Sequence, residues 1–311
     1  MRPIKKLVTV FVLLLTPLAA AAQNASLATS SPGGSVHNLG LMLANVAGEA
    51  GIDLRITPFN TTTQAIPVVA GGEVTFGLAN AYELQMAESG TVAFDGSSVE
   101  GLRAVAALYP FKMSLMVRAD SDIETMADLA GRRLPAGFGA TATGEFLIGG
   151  MLAAAGLSYE EVEQVTVSSF GDMQTAFEAD RIDAMIAIVG SGRDVRINET
   201  VGGIRVLGIP GDAEAEARMR EFVPVARAEP VAAADGLVGV TEDMFTLTYD
   251  YYLYTSAGTS EDIVTAVLQA IIDGQDTIAE TIPAFAWFDV ENADADIGLE
   301  FHPGALTLIG D

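Results

Sequence analysis

The sequence predicts an α/β fold. Short apolar runs rich in β-branched residues alternate with longer segments of helical periodicity, the pattern of strands packed against helices. Half of the 311 residues are hydrophobic and only 18% are charged, so the chain can bury substantial cores and is long enough for two domains. Its 32 glycines and 12 prolines are dispersed, and no repeat or low-complexity tract interrupts the alternation.

The elements follow in order. A first helix is expected at 35–50, opened by Ser30-Ser31-Pro32-Gly33-Gly34-Ser35, and a strand at 54–58 follows it. Asn60-Thr61-Thr62-Thr63 then leads into a helix at 64–70. A strand at 74–79 ends directly on Asn80, where a helix at 81–88 begins. Strands at 102–108 and 114–118 come next, and the loop Gly137-Phe138-Gly139-Ala140-Thr141-Ala142-Thr143 opens a helix at 143–155. Beyond it lie a strand at 165–169, a helix at 173–179, a strand at 184–189 that runs into Gly190-Ser191-Gly192, and a strand at 204–209. The segment 211–236, rich in Ala, Glu and Arg, reads as a surface excursion. A strand at 251–255 sits in the alternating aromatics Tyr249-Asp250-Tyr251-Tyr252-Leu253-Tyr254, which should fill a core with one ring able to face a ligand cleft. The last helix, 260–272, gathers Ile263, Val267, Ala270 and Ile271 on one face.

The amino-terminal end has a different character. Arg2, Lys5 and Lys6 precede an apolar run at 7–15, then Pro17 and Ala20, Ala21 and Ala22. This is the layout of a secretory signal peptide at 1–22, with an A-x-A cleavage site. The run is shorter than the roughly 18 to 20 residues that cross a bilayer, and without cysteine there is no lipobox. A soluble, periplasmic mature chain is expected.

Charge narrows the function classes. The chain carries 16 Lys plus Arg against 41 Asp plus Glu, a formal net charge of -25. Removing the three basic residues of the signal segment leaves 13 against 41, with Lys112 the only lysine. Such a surface repels phosphate backbones and anionic lipid, so nucleic acid is not an expected partner. No cysteine is present and only two histidines, so no thiolate chemistry, cysteine metal site or cofactor is expected.

The informative feature is how the helices begin. Four uncharged loops of Ser, Thr, Asn and Gly open helices, and Asn80 forms a fifth such junction. A helix start presents unpaired N–H groups at the positive end of its dipole, so several converging starts could hold a carboxylate without a lysine. The same residues are also ordinary N-caps.

Other motifs lead less far. Gly137 to Ala142 fits G-x-G-x-x-A, but the preceding Arg132-Arg133-Leu134-Pro135 is a poor strand. Neither Gly190-Ser191-Gly192 nor Gly33-Gly34-Ser35 completes G-x-S-x-G, and His37 and His302 carry no accompanying signature. Asn292-Ala293-Asp294-Ala295-Asp296-Ile297 approaches a calcium loop but has Ile where glycine belongs, and the acidic clusters read as solvated faces.

Segments spread through the chain resemble the TAXI-type solute-binding subunits of TRAP transporters. They are Gly72-Glu73-Val74-Thr75-Phe76-Gly77-Leu78-Ala79-Asn80, Val117-Arg118-Ala119-Asp120-Ser121-Asp122-Ile123, Asp128-Leu129-Ala130-Gly131-Arg132-Arg133 and Asp180-Arg181-Ile182-Asp183-Ala184. Gly190-Ser191-Gly192, Val201-Gly202-Gly203-Ile204-Arg205, Tyr249-Asp250-Tyr251 and His302-Pro303-Gly304-Ala305 complete the series. The resemblance implies a bilobed, type II-like periplasmic-binding-protein fold whose two α/β lobes are joined by crossing segments. The first lobe would comprise 23–115 and 250–311 and the second 116–249, with crossings near 114–118 and 251–255. It implies a receptor rather than an enzyme, with a small organic acid or amino-acid-like solute and TRAP membrane subunits as partners. Ser35, Thr62, Thr63, Asn80, Phe138, Gly139, Thr141, Thr143, Gly190 and Ser191 would line the cleft, the polar ones donating hydrogen bonds and Phe138 forming an apolar wall. Arg118 and Arg193 are secondary candidates for an ion pair with the solute. Ser35-Val36-His37-Asn38 and Thr61-Thr62-Thr63-Gln64 depart from the family's commoner pattern, so no particular ligand carries over. Two other classes fit the sequence: a secreted hydrolase using Ser35 or Ser191 with a histidine base, and an antigen or adhesion protein.

The acidic excess also bears on stability. Salt screens self-repulsion, so the melting temperature should rise between low and marine-like salt; a flat or falling value measured by calorimetry would refute this.

Overall fold

The computed structural model describes residues 23–94, 96–139 and 143–310. The expected signal peptide and Thr141 lie outside the described residues. The first part of the chain runs β1 (Gln23–Thr29), α1 (Ser35–Glu49), β2 (Ile52–Pro58), α2 (Thr62–Ala70), β3 (Phe76–Asn80) and α3 (Ala81–Ser89) into the long strand β4 (Leu102–Arg118). The middle part runs β5 (Arg133–Ala136), α4 (Thr143–Ala154), β6 (Glu163–Thr166), α5 (Phe170–Glu178), β7 (Ala184–Ile188), α6 (Gly192–Val201), β8 (Ile204–Leu207), α7 (Ala213–Arg220) and β9 (Arg227–Val231). A second long strand, β10 (Met244–Ser256), returns the chain to α8 (Glu261–Asp273), α9 (Gln275–Thr281) and α10 (Pro303–Ile309).

The main sheet has the order β2-β1-β3-β10-β4-β7, with β8 also on β4 and β9 also on β10, while β5 and β6 form a separate pair. Strand β1 is parallel to β2 and β3, and β10 is antiparallel to β3, β4 and β9. From Leu102 opposite Ser256 to Phe111 opposite Tyr249, β4 and β10 lie side by side. Beyond that point they part: β4 continues between β7 and β8, and β10 continues beside β9. The two strands therefore carry the chain between two α/β lobes.

The cores follow from periodicity. In α1 the buried Leu39, Leu43, Val46 and Ala47 recur at helical spacing, as do Val264, Val267, Leu268 and Ile271 in α8. With Leu27, Leu253 and Phe285 they form the core on one face of the first lobe's sheet. On the other face Ile66, Leu84, Tyr252 and Tyr254 belong to a core that continues into the second lobe through Phe138, Met151 and Phe177. Tyr82 bridges the lobes, its ring edge-on to Phe146 and its hydroxyl donating to the Phe222 carbonyl at 3.2 Å.

Several expectations change. The runs at 102–108 and 114–118 are one strand, because Pro110 pairs in register with Asp250 close to where β10 departs and leaves the strand unbroken. The segment 211–236 is not a surface excursion: Asp212 caps α7 by accepting from the Glu214 and Ala215 amides, and Ala215, Met219, Val223 and Ala226 are buried. Pro135 sits within β5, where a two-stranded sheet leaves an edge that needs no proline N–H. Strand β1 was masked in the sequence by its polar residues and by its position after the signal segment, yet Leu27, Ala28 and Thr29 are fully buried.

Gly77 in β3 makes room for Tyr254, since a Cβ there would overlap the tip of that fully buried phenol ring. Gly77→Ala should therefore cost about 1–3 kcal/mol by overpacking. The Tyr254 hydroxyl has no hydrogen-bond partner, so Tyr254→Phe should be neutral or stabilising. Urea unfolding of both variants checks the pair, and an unaffected Gly77→Ala would contradict the packing argument.

Candidate functional site

Two strand ends bound the site. Asn80 at the end of β3 lies opposite Tyr251, which lies opposite Tyr109 of β4. Ile188 at the end of β7 lies opposite Met113 of the same strand. Because β3 runs parallel to β4 and β7 runs antiparallel to it, the two carboxyl ends run toward each other from different lobes. Measured along β4 they are four residues apart, about 13 Å, and the β4–β10 pair lies between them laterally. In open α/β sheets ligands bind outside such carboxyl ends. Here the crossing strands present Tyr109, Phe111, Tyr249 and Tyr251, with ring centroids 5.6–5.9 Å apart in successive contacts.

The first lobe contributes three adjacent helix starts. Ser31 ties the β1–α1 loop to the β2–α2 loop by donating to the carbonyls of Asn60 at 3.2 Å and Phe59 at 3.4 Å. Ser35 is exposed at the start of α1, where Gly34 is the N-cap and supplies no side-chain cap, so the first amides of this helix keep no side-chain partner.

At the next two starts the donors converge on a residue the sequence reading did not select. Thr62 donates to both carboxylate oxygens of Glu83 at 2.8 Å, Thr63 to one at 2.9 Å, and the Asn80 side-chain amide to the other at 2.9 Å. In return the Glu83 amide donates to the Asn80 side chain at 2.9 Å, which caps α3. Glu83 is 7% exposed. Burial pushes its pKa up, and the hydrogen bonds from Thr62, Thr63 and Asn80 pull it partway back. The structure thus brings Thr62, Thr63 and Asn80 together, but around the protein's own carboxylate. The signal was present in the sequence: Asn80-Ala81-Tyr82-Glu83 has the N-x-x-E spacing of a capping box.

The second lobe places its candidates less uniformly. Ser191 caps α6 by accepting from the Asp194 amide, and Gly190 before it has the left-handed φ of 78°. Asp194 is buried and its pKa is raised by desolvation, which Arg193 opposes. Arg193 is engaged by the Asp194 carboxylate and the Ile186 carbonyl. Arg118 donates to the carbonyls of Phe177 and Glu178 and stacks on the Phe177 ring, so both arginines serve lobe structure. Phe138 does not form a wall: it is 1% exposed, packed on Phe170 and against Gly144, where a Cβ would collide with it. Gly139 is exposed, and half-buried Thr143 opens α4.

Beside these loops lies a cavity of about 740 Å³ that both lobes and the crossing strands line. Ala81 of α3, Tyr109 and Asp250 of the crossing, Arg227 and Glu229 of β9, and Trp287 near the carboxyl end contribute to it. Arg227 forks onto Asp250 with two bonds of 2.9 Å and reaches Glu229 at 2.7 Å. Lys112 reaches Glu229 at 3.4 Å and lies 4.7 Å from the centre of the Trp287 ring. A Cβ at Gly190 would approach Trp287, which connects this wall to the β7–α6 loop. None of the expected site residues among the described residues lines the cavity. Its second-lobe wall comes from the segment that carried no sequence signal.

The sequence pattern of the NMT1-like family matches residues 27–308. The chain belongs to the NMT1-like family. Its fold is shared with solved periplasmic binding proteins. A TctC solute binding protein from Polaromonas superposes with a TM-score of 0.54 at 15% identity, covering 86% of this chain and 87% of that one. The periplasmic sulfonate-binding protein SsuA from Methylobacillus flagellatus KT gives 0.50 at 15% identity, covering 84% and 72%. The aliphatic sulphonate binding protein SsuA from Escherichia coli gives 0.50 at 13% identity, covering 86% and 78%. At these identities the likeness establishes the bilobed architecture of this NMT1-like chain.

Within that architecture the Glu83 network has a measurable signature. Thr62→Val removes a donor shared by both carboxylate oxygens and should cost about 1.5–3 kcal/mol. Glu83 has a folded pKa above its unfolded value near 4.5, so the native state holds the extra proton between those two values. Its stabilising contribution is complete below the unfolded value and is lost as pH rises through the folded one. The stability of Glu83→Gln relative to wild type should therefore increase with pH above about 4.5. Urea titrations at stepped pH test this, and a relative stability that falls over the same range would contradict it.

Proposed function

We propose that the protein is an extracytoplasmic receptor of the TAXI type that captures a small carboxylated organic solute between its lobes and delivers it to TRAP membrane subunits. The observation that carries the reading is the opposition of polar helix starts from two lobes across the β4–β10 crossing. The signal-peptide layout and the ordered series of TAXI-like segments support it. So do the fold neighbours, which are solute- or sulfonate-binding proteins.

The solute's carboxylate would go to the start of α1, where Ser35 and amides without a side-chain cap meet the positive end of a 15-residue helix. Contacts from both lobes would favour a closed state, and a solute shifts the equilibrium only as far as it prefers that state. The histidines favour this reading over a hydrolase. His37 pairs with the Thr29 hydroxyl, and His302 with the Thr259 carbonyl and the Gly304 amide, so each is held by its own fold.

Thermal unfolding of the purified protein with a panel of organic acids and amino acids tests the function. A solute present at 100 times its Kd should stabilise by about 2.7 kcal/mol, with no turnover. Replacing both histidines should leave binding largely intact. Consumption of the ligand would sink the proposal.

A further inference from the structure

We infer that the cavity at the crossing is a second ligand site, separate from the helix starts, and that it takes a neutral polyhydroxylated molecule of the sugar or polyol class. The first ground is its form. At about 740 Å³ it has the size of a small-molecule site. Two contacts between the lobes flank it. Next to the lining residue Ala81, Tyr82 of the first lobe meets Phe146 and the Phe222 carbonyl of the second. Trp287 of the first lobe, itself in the lining, meets Lys112 and approaches Gly190 of the second. A molecule held between these contacts touches both lobes.

The second ground is charge. Arg227 forks onto Asp250 and reaches one oxygen of Glu229, whose other oxygen meets Lys112. Two cations thus neutralise two carboxylates within the wall, and the side chains of Asp250, Glu229 and Lys112 are only 13%, 27% and 13% exposed. A charged ligand would lose hydration here and find no unmatched countercharge. The other charged side chains of the lining, Arg220, Asp289 and Asp296, are exposed and already engaged. Arg220 donates to the Pro224 carbonyl, Asp289 accepts from the Glu291 amide and the Asn292 side chain, and Asp296 accepts from the Gly298 amide. Water and salt screen these three.

What the neutralised wall does offer is hydrogen bonds. The Arg227 side chain has five N–H groups, of which three serve Asp250 and Glu229, so two remain among the described residues. Each Asp250 oxygen accepts one bond from Arg227 and keeps a second lone pair. Donors and acceptors therefore lie side by side on one fixed fork. Hydroxyls on neighbouring carbons match it, because each can donate to an oxygen and accept from an N–H at once.

The rest of the lining agrees with this. Trp287, Tyr109, Pro224 and Ile297 supply apolar surface for the C–H faces that such a molecule carries beside its hydroxyls, and Gln85 adds a side-chain amide. A neutral ligand is also indifferent to the acidic excess of the chain, which would repel an anion from the cleft.

Trp287 is the chain's single tryptophan, so its emission reports occupancy of the cavity directly. D-glucose, D-sorbitol, myo-inositol and trehalose are titrated into the purified protein, with isothermal calorimetry as the second readout. None carries a carboxylate, so failure here leaves the receptor reading standing. At least one should shift the emission saturably with a Kd below about 1 mM. The tightest is then compared by calorimetry with its amino analogue, in which an ammonium replaces one hydroxyl, at about pH 6, below the ordinary range of amines. The analogue should bind about tenfold or more weakly. Lys112→Gln leaves the wall net negative and should move that ratio about tenfold toward the amine, whereas Asp250→Asn leaves it net positive and should move it the opposite way. General damage to the fold does not move one ratio in opposite directions. Circular dichroism establishes that the variants fold; either one suffices, and if neither folds the wild-type ranking decides. No saturable response to any of the four, equal or tighter binding of the amino analogue, or a ratio unmoved in a folded variant overturns the inference.

Discussion

The antiparallel pairing of β4 with β10 is the constraint from which the rest of the molecule follows. Each strand belongs to both lobes, so their shared register from Leu102 to Phe111 fixes how the lobes are placed along one axis. It decides that β3 ends beside Tyr251 and β7 ends beside Met113. It also decides which rings meet at the crossing, because Tyr109, Phe111, Tyr249 and Tyr251 come together only when these residues lie in opposed positions. Where the strands part after Phe111 and Tyr249, backbone pairing no longer ties one lobe to the other through both strands. A hinge motion would be absorbed there, since the paired ladders on either side resist bending.

On that frame the first lobe solves a problem of charge placement. Two helices, α2 and α3, start side by side and direct hydroxyl, amide and dipole toward one point. Left open, that point would accept an anion. Instead α3 returns Glu83 to it from its own first turn, so the carboxylate both caps its helix and ties α2 to α3. The adjacent α1 start has no such internal occupant: Gly34 offers no side chain, and no acid lies in its first turn. Neighbouring helix starts of similar composition therefore present opposite electrostatic faces.

The alternation of strands and helices was legible because the buried positions recur at the right periods, as in α1 and α8. The helix starts were legible because Thr61, Asn80 and Ser191 are N-caps of the types that accept backbone amides. What those starts hold was not legible from loop composition, since Glu83 reaches Thr62 across 21 residues of sequence. Phe138 misled for a related reason. A phenylalanine between glycines in a loop reads as exposed, yet Gly144 in the first turn of α4 opens the space that draws the ring inward. The wall formed by α7 and β9 was hidden because half-exposed Arg227 and Glu229 mark no period, and their partner Asp250 lies across the sheet on β10.

The distribution of bases links this architecture to selectivity. With every base of the described fold bound to an acid or a carbonyl, an anionic solute finds no uncommitted guanidinium at either lobe. If the solute is a carboxylate, as proposed, its recognition would depend on backbone amides, whose positions are set by the helix axis and not by a mobile side chain. Such a site discriminates by shape and spacing, because an amide cannot follow a misplaced anion as a long arginine can. The Glu83 carboxylate is likewise fixed, by three donors from the starts of two helices. Both helix starts are therefore preorganised by the first lobe's own hydrogen bonds, and on the receptor reading lobe closure would have only to enclose a solute already oriented there.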